Sequence, residues 1–340
     1  MKRVASVGAV AFLGLLALAS ASWAQQAEGT SRADRFRFKF EANRPLVYSM
    51  RVAMKMVMDI KAGTEAVTTK TAFELRHHLK LTPAGEPKGD ITTMRLELAE
   101  IEGDWDITNP GGRVLVTLRG SQVKATRDGT VIIDTANDVG SAQAQEFKKG
   151  LTPLYLTGQV ELDSRGNVRK FSGDPPFVEH WTEASAAQVG FWGVVFPDRA
   201  IPVGESWKET LRLKKMGQVK LEGEGMDCTV TFTRQPDRVV RGKQLAVFQV
   251  SAPFSHKDLT GSMDQPGQAL RLNISQFHRR ASGAVHFDPQ TEMLTESTMT
   301  IDGNALMNTV IQGQAATFDV KIQSDMKLSL LPGRTATAPP

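Results

Sequence analysis

The chain has 340 residues, with 41 lysines and arginines against 37 aspartates and glutamates, six histidines and one cysteine. Opposite charges are interleaved and the formal balance is only +4, which excludes the basic footprint of a nucleic-acid binder and the run of cations of a polybasic membrane anchor. The lone cysteine, Cys228, excludes an internal disulfide framework, and its place on one strand face with Val230 and Phe232 reads as a buried, inert thiol.

Residues 1–24 carry the three parts of an export signal: Lys2 and Arg3, an apolar run from Val7 to Ala19, and Ser22-Trp23-Ala24, with cleavage expected after Ala24. The run is too short to cross a hydrocarbon core of ~30 Å, and no later apolar stretch is long enough, so no transmembrane anchor is expected. The mature chain, with 39 basic and 37 acidic residues, is expected in the periplasm or outside the cell. Residues 25–34 read as a disordered linker, 35–196 as an N-terminal β half carrying two helices, 197–331 as a C-terminal β half, and the Pro-rich 332–340 as a disordered tail.

Period-two alternation dominates from residue 35 onward, the pattern of strands with one face buried and one wet. Phe36, Phe38 and Phe40 alternate with Arg35, Arg37 and Lys39, which predicts a first strand. Leu46, Tyr48, Met50, Val52, Met54, Met56, Met58 and Ile60 then line one face of a single long strand. The alternation returns over residues 67–81, 93–101, 113–118, 131–134, 209–213, 226–232, 244–250, 270–274 and 317–330. Short connections such as Asp128-Gly129 and Arg241-Gly242 supply the positive φ angles of hairpins, so the strands are expected to form an antiparallel meander.

Two segments read as helices. Asn137 or Asp138 caps a run through Val139, Ala142, Glu146 and Phe147 that Gly150 closes. Asp174-Pro175-Pro176 opens the second, in which Phe177, Trp181, Ala184, Gln188, Phe191 and Val195 recur at helical spacing and which is apolar nearly all round from Val189. An internal echo links Gly158-Gln159-Val160-Glu161-Leu162-Asp163 with Gly283-Ala284-Val285-His286-Phe287-Asp288, each an alternating strand ending on an aspartate at a turn. Two similar β halves and chance reuse of hairpin residues both account for it.

The histidines offer no metal site: His77 and His78 are adjacent in a strand and point to opposite faces. No nucleophile elbow, zinc-protease motif or phosphate-binding glycine loop occurs, so no catalytic centre, metal or cofactor is expected. The candidate site is a ligand-binding one. Met50, Met54, Met56 and Met58 present unbranched, polarizable side chains able to shape an adaptable cavity, and Phe177, Trp181, Phe191 and Trp192 of the second helix supply its cover.

The phenylalanine-rich start (Phe36 to Phe40), the segment Pro-Val-Gly-Glu-Ser-Trp (Pro202 to Trp207) and the late Gly-x-Val-x-Phe-Asp hairpin (Gly283 to Asp288) resemble those of a group of bacterial secreted proteins with no established activity, over most of the mature chain. In architecture the chain is also similar to the periplasmic lipoprotein-carrier fold, a half-barrel of antiparallel strands whose apolar hollow is covered by helices. That likeness implies carriage of a lipid or a lipoprotein acyl chain. The expectation is therefore a mainly β protein, a large curved antiparallel sheet with two helices covering its concave face, that is exported, non-enzymatic and binds a hydrophobic ligand or an envelope component. The alternatives are an envelope structural or protein-interaction protein with a packed core, and a hydrolase whose polar groups converge only in three dimensions.

Overall fold

The computed structural model describes residues 34–42, 44–151, 157–174, 193–216, 219–265, 268–311 and 313–331. In chain order they form β1 (Leu46–Ala62), β2 (Glu65–Pro83), β3 (Ile91–Asn109), β4 (Gly112–Arg119), β5 (Gln122–Arg127), β6 (Thr130–Asp134), α1 (Ser141–Leu151), β7 (Gly158–Asp163), β8 (Val168–Gly173), β9 (Ser206–Leu213), β10 (Lys215–Met216), β11 (Val219–Leu221), β12 (Met226–Val240), β13 (Lys243–Gln265), β14 (Gln268–Asp288), β15 (Met293–Ile311) and β16 (Gln314–Leu330). The expected export signal and most of the expected second helix, with Phe177, Trp181, Phe191 and Trp192, lie outside the described residues; its end at Val195 is described and is not helical.

All the strands belong to one 16-stranded antiparallel sheet in the order β10-β11-β13-β14-β15-β16-β1-β2-β3-β4-β5-β6, with β1 paired to β16 so that early and late strands share one surface. The ends of this path do not pair, so the sheet is not closed. Two branches leave it: β7 and then β8 beside the first half of β3, and β12 and then β9 beside the first half of β13. The hairpin turns match the sequence reading. Asp128 and Gly129 (φ 49° and 86°), like Arg241 and Gly242 (φ 51° and 77°), place both central residues in the left-handed region, the conformation whose twist suits two adjoining strands.

At one end the two branches meet, and there the core is filled. The Arg165 guanidinium at the β7–β8 turn lies 3.4 Å from Glu209 of β9, the Phe196 amide donates to the Arg165 carbonyl at 2.9 Å, and Trp207 Nε1 donates to the Val195 carbonyl at 2.8 Å. Residues 34–40 strap this end. Phe36, Phe38 and Phe40 are buried as the alternation predicts, but they form no strand, because their backbone crosses strand ends and does not run beside a strand. The Phe38 amide donates to the Ser164 carbonyl (2.7 Å) and the Lys39 amide to the Glu292 carbonyl (3.1 Å). The two turns so tied are those of the echoed hairpins, and each is built on a buried aspartate. Asp163 accepts from the Arg165 and Asn167 amides at 2.9 Å, and Asp288 from the Gln290 amide at 2.9 Å and the Thr291 amide at 3.3 Å. The echo is thus a reused turn with a shared task.

Two glycine-bearing motifs have structural explanations at this end. A Cβ on Gly283 would be driven into the Thr298 carbonyl of β15, so the inner face there admits only glycine. The Pro202-to-Trp207 segment turns through a Glu205 amide to Pro202 carbonyl bond (3.1 Å), pairs with the Arg234 backbone, and seats Trp207 on the Phe232 ring at 5.2 Å between centroids.

The expectation of two helices covering the concave face is not borne out among the described residues. Among the described residues α1 is the only helix, and it packs against β6 at the end of the sheet path, with Ala144 buried; two helices across the concave face are not seen there. Its start is also later than Asn137 or Asp138. Asp134 and Val139 exchange backbone bonds of 2.9 and 3.1 Å, which closes a tight turn, and Gly140 is the first residue whose carbonyl enters the helix. Gly150, read as the stop, lies inside it.

Candidate functional site

The inner face of the sheet follows from register. In β1 the even-numbered residues face inward: Tyr48, Val52, Met54, Met56, Met58 and Ile60 are buried and Met50 is half-buried, whereas Arg51 and Lys55 are exposed. Arg51 instead makes a two-pronged pair with Glu74 (2.8 and 2.9 Å) on the wet face, and those hydrogen bonds hold the Glu74 carboxyl down to about 2 against the opposing effect of partial burial. The wet face is laced with further pairs, Lys80 with Glu97, Arg113 with Asp106 and Arg119 with Asp104. Chemistry suited to an apolar ligand is confined to the other side.

That inner face is organised in cross-strand rows. One row runs Ala252, Ala281, Ile301, Ser324, Met54, Phe73, Trp105, Val116, and the next runs Phe254, Arg279, Gly303, Ile322, Met56, Thr71, Ile107, Val114. A third sets Phe277, Ala305 and Val320 beside Met58 and Thr69. Phe73 and Trp105 stack with centroids 6.2 Å apart. The three methionines thus stand side by side, flanked by aromatic rings and threonines on β2 and β3 and by small side chains on β14 and β15. All four methionines picked from the sequence share this face.

The two ends of the face differ in filling. The largest fully enclosed side chains, among them Phe36, Phe196, Phe232, Phe248, Phe287, Leu81 and Met94, are gathered where the branches meet. Along β1 the fractional exposure climbs from 2% at Val52 through 3% at Met54 to 9% at Ile60. Around Gly303 a hollow of about 590 Å³ opens, lined by Phe254, Arg279, Gly303, Ile322 and chain neighbours that include His278, Arg280, Asp302 and Asn304. The Thr71 hydroxyl in the Met56 row is enclosed without a hydrogen-bond partner.

His77 faces inward beside Met50 and His78 outward, 2.9 Å from Glu100, so the two do not share a ligand position. Among the described residues no group of three histidines, cysteines, aspartates or glutamates is placed to hold a metal, and no helix is long and apolar enough to cross a membrane. Cys228 is buried beside Leu213 and Met226, as read from its strand, and burial pushes its thiol up to about 11. Arg279, Gly303 and the small residues on β14 and β15 were not picked out from the sequence. The signal lay in continuing the alternation of β14 beyond Ile274: Phe277, Ala281 and Val285 share a face, and Arg279 stands among them.

No protein-family model matches the chain, and no curated protein matches it. Among solved structures, a lipovitellin structure concerned with lipid–protein interactions is similar over 89% of this chain and 26% of that one, at 11% identity and a TM-score of 0.44. The chain therefore spans about a quarter of the lipovitellin chain it matches. An outer membrane channel from Pseudomonas putida F1 is similar over 90% of this chain and 100% of that one (8% identity, TM-score 0.22). The translocator domain of the autotransporter NalP from Neisseria meningitidis is similar over 82% and 87% (7% identity, TM-score 0.17).

Proposed function

We propose that this protein is an exported, non-enzymatic carrier that holds a long apolar ligand, a lipid or a lipoprotein acyl chain, on the inner face of its sheet. The observation that carries the reading is the run of Met54, Met56 and Met58 on three successive inner rows, the middle one leading through Ile322 to the hollow at Gly303, away from the aromatic end where the core is filled. Unbranched thioether side chains repack around ligands of varied shape, which suits a carrier more than it suits a fixed core. The ion-paired outer face leaves the inner face as the surface with apolar contacts to offer. The export signal expected at residues 1–24 supports a carrier in the envelope, where an acyl chain crossing water needs such a shield.

Met54→Trp tests the reading. Adding bulk to the methionine row is expected to weaken binding of an apolar fluorescent probe about tenfold, equivalent to about 1.4 kcal/mol, while the urea midpoint moves little. If the row is instead a packed core, the same substitution costs ~1–3 kcal/mol of stability through overpacking, and any binding lost falls in step with unfolding.

A further inference from the structure

Arg279 is out of place on the inner face. Its neighbours across the strands are Phe254 and Gly303, and it shares its side of β14 with buried Ala281 and Val285. At the paired inner positions of β13, β14, β15, β16, β1, β2 and β3 the one acid is the exposed Glu65 at the β1–β2 hairpin end, and Arg279 is the one arginine or lysine. The guanidinium lies over the Phe254 ring, 5.4 Å from its centroid, and its enclosed Nε meets no acceptor. Arg234, an inward arginine on β12 at the filled end, shows what a structural cation looks like: its Nε likewise meets no acceptor, but it pairs with Asp237 and donates to the Gln235 carbonyl at 3.2 Å. Arg279 makes no ion pair of that kind among the described residues.

Burial lowers the Arg279 pKa to about 10, which still leaves it charged at neutral pH, and the titratable group whose field reaches it is the Cys228 thiol, itself held neutral by burial. A guanidinium offers five donors in a planar fork shaped for a carboxylate or phosphate. Beside this one the chain places glycine and alanine, so the fork borders the hollow. From Arg279 the row runs through Gly303 and Ile322 to Met56, three strand spacings or about 14 Å of apolar floor.

We infer that the ligand is an anionic single-chain amphiphile of the fatty-acid class, its carboxylate paired with Arg279 and its chain laid along the row toward Met56. This rests on the inner-face carrier reading and names the class of its ligand. One inward arginine with no acid in its row matches one carboxylate, and the row beyond it is uncharged throughout.

The test compares hexadecanoic acid with hexadecanol, each displacing an apolar fluorescent probe from the whole protein. The acid is expected to bind the wild type about tenfold or more tightly than the alcohol, the difference a charge-assisted pair supplies. Arg279→Gln should abolish that preference, bringing the acid to the affinity of the alcohol in the same variant, and Arg279→Lys should restore part of it. Equal binding of acid and alcohol by the wild type, or a preference that survives Arg279→Gln, overturns the head-group assignment while the carrier reading stands. Failure of the wild type to bind either compound overturns both. The wild-type comparison needs no variant to fold.

Discussion

Replacing Phe36 with alanine is expected to cost about 3–5 kcal/mol of folding stability, the range for removing a ring from a close-packed core. Phe36 meets Phe248 edge-on at 5.0 Å and Phe287 edge-on at 5.8 Å, and leans on Phe196 at 5.5 Å between centroids. It also carries the Arg234 guanidinium 4.9 Å from its centroid, so its loss uncovers one side of a cation that is 1% exposed. The ring belongs to the strap that ties two hairpin turns together, and truncation acts on both at once. Urea unfolding of the purified variant measures the cost. A loss under about 1 kcal/mol, the scale of a surface substitution, would mean that the strap is an appendage and not part of the core.

The second large effect is at Asp288. Its carboxylate is 1% exposed, yet it accepts from Lys243 Nζ at 2.9 Å and from two turn amides. Burial raises its pKa, and the Lys243 hydrogen bond together with the amides of Gln290 and Thr291 outweighs it, so the carboxyl titrates below its ordinary value. A folded-state pKa below the unfolded one gives stability that is fully present above the unfolded value, near pH 4, and is lost as pH falls through the folded value. Asp288→Ala should therefore cost about 2–3 kcal/mol at neutral pH, since two buried amides lose their acceptor and Lys243 its partner. Asp288→Asn should flatten the acid limb of the stability–pH curve, because it removes a group that titrates there. Urea midpoints between neutral pH and pH 3 check both; an acid limb as steep as that of the wild type would show that Asp288 does not carry it.

Much of the fold was legible because alternation and turn chemistry are local. The inner face of β1 could be read residue by residue from Leu46 to Ile60, and the type I′ turns at Asp128-Gly129 and Arg241-Gly242 announced themselves. The phenylalanine strap shows the limit of that logic: period-two burial records which side chains meet the core, not whether the backbone has a ladder partner, and Phe36 to Phe40 has the first without the second. The branching at β3 and β13 was invisible, because one strand taking different partners along its two halves leaves no mark on its own alternation. Strand β15 is missing from the alternation as read, since from Gly303 to Asn308 its residues are half-buried on both faces and the contrast fades.

Of the candidate site, the methionine row was legible as a face, and the hollow was not. The hollow is bordered by Phe254 on β13, Arg279 on β14, Gly303 on β15 and Ile322 on β16, residues far apart in sequence whose register sets them side by side. The same register isolates Arg279, which a linear reading takes for one of a surface doublet with Arg280.

The claim that the inner face holds an apolar ligand is tested most directly by native mass spectrometry of the protein purified from a periplasmic extract, followed by organic extraction of whatever it releases. A lipid-sized adduct that dissociates on activation and appears in the extract as a long-chain species is the predicted result. A clean unliganded mass, together with no uptake of a fluorescent fatty-acid probe by the same preparation, would contradict it and assign the methionine row to packing alone.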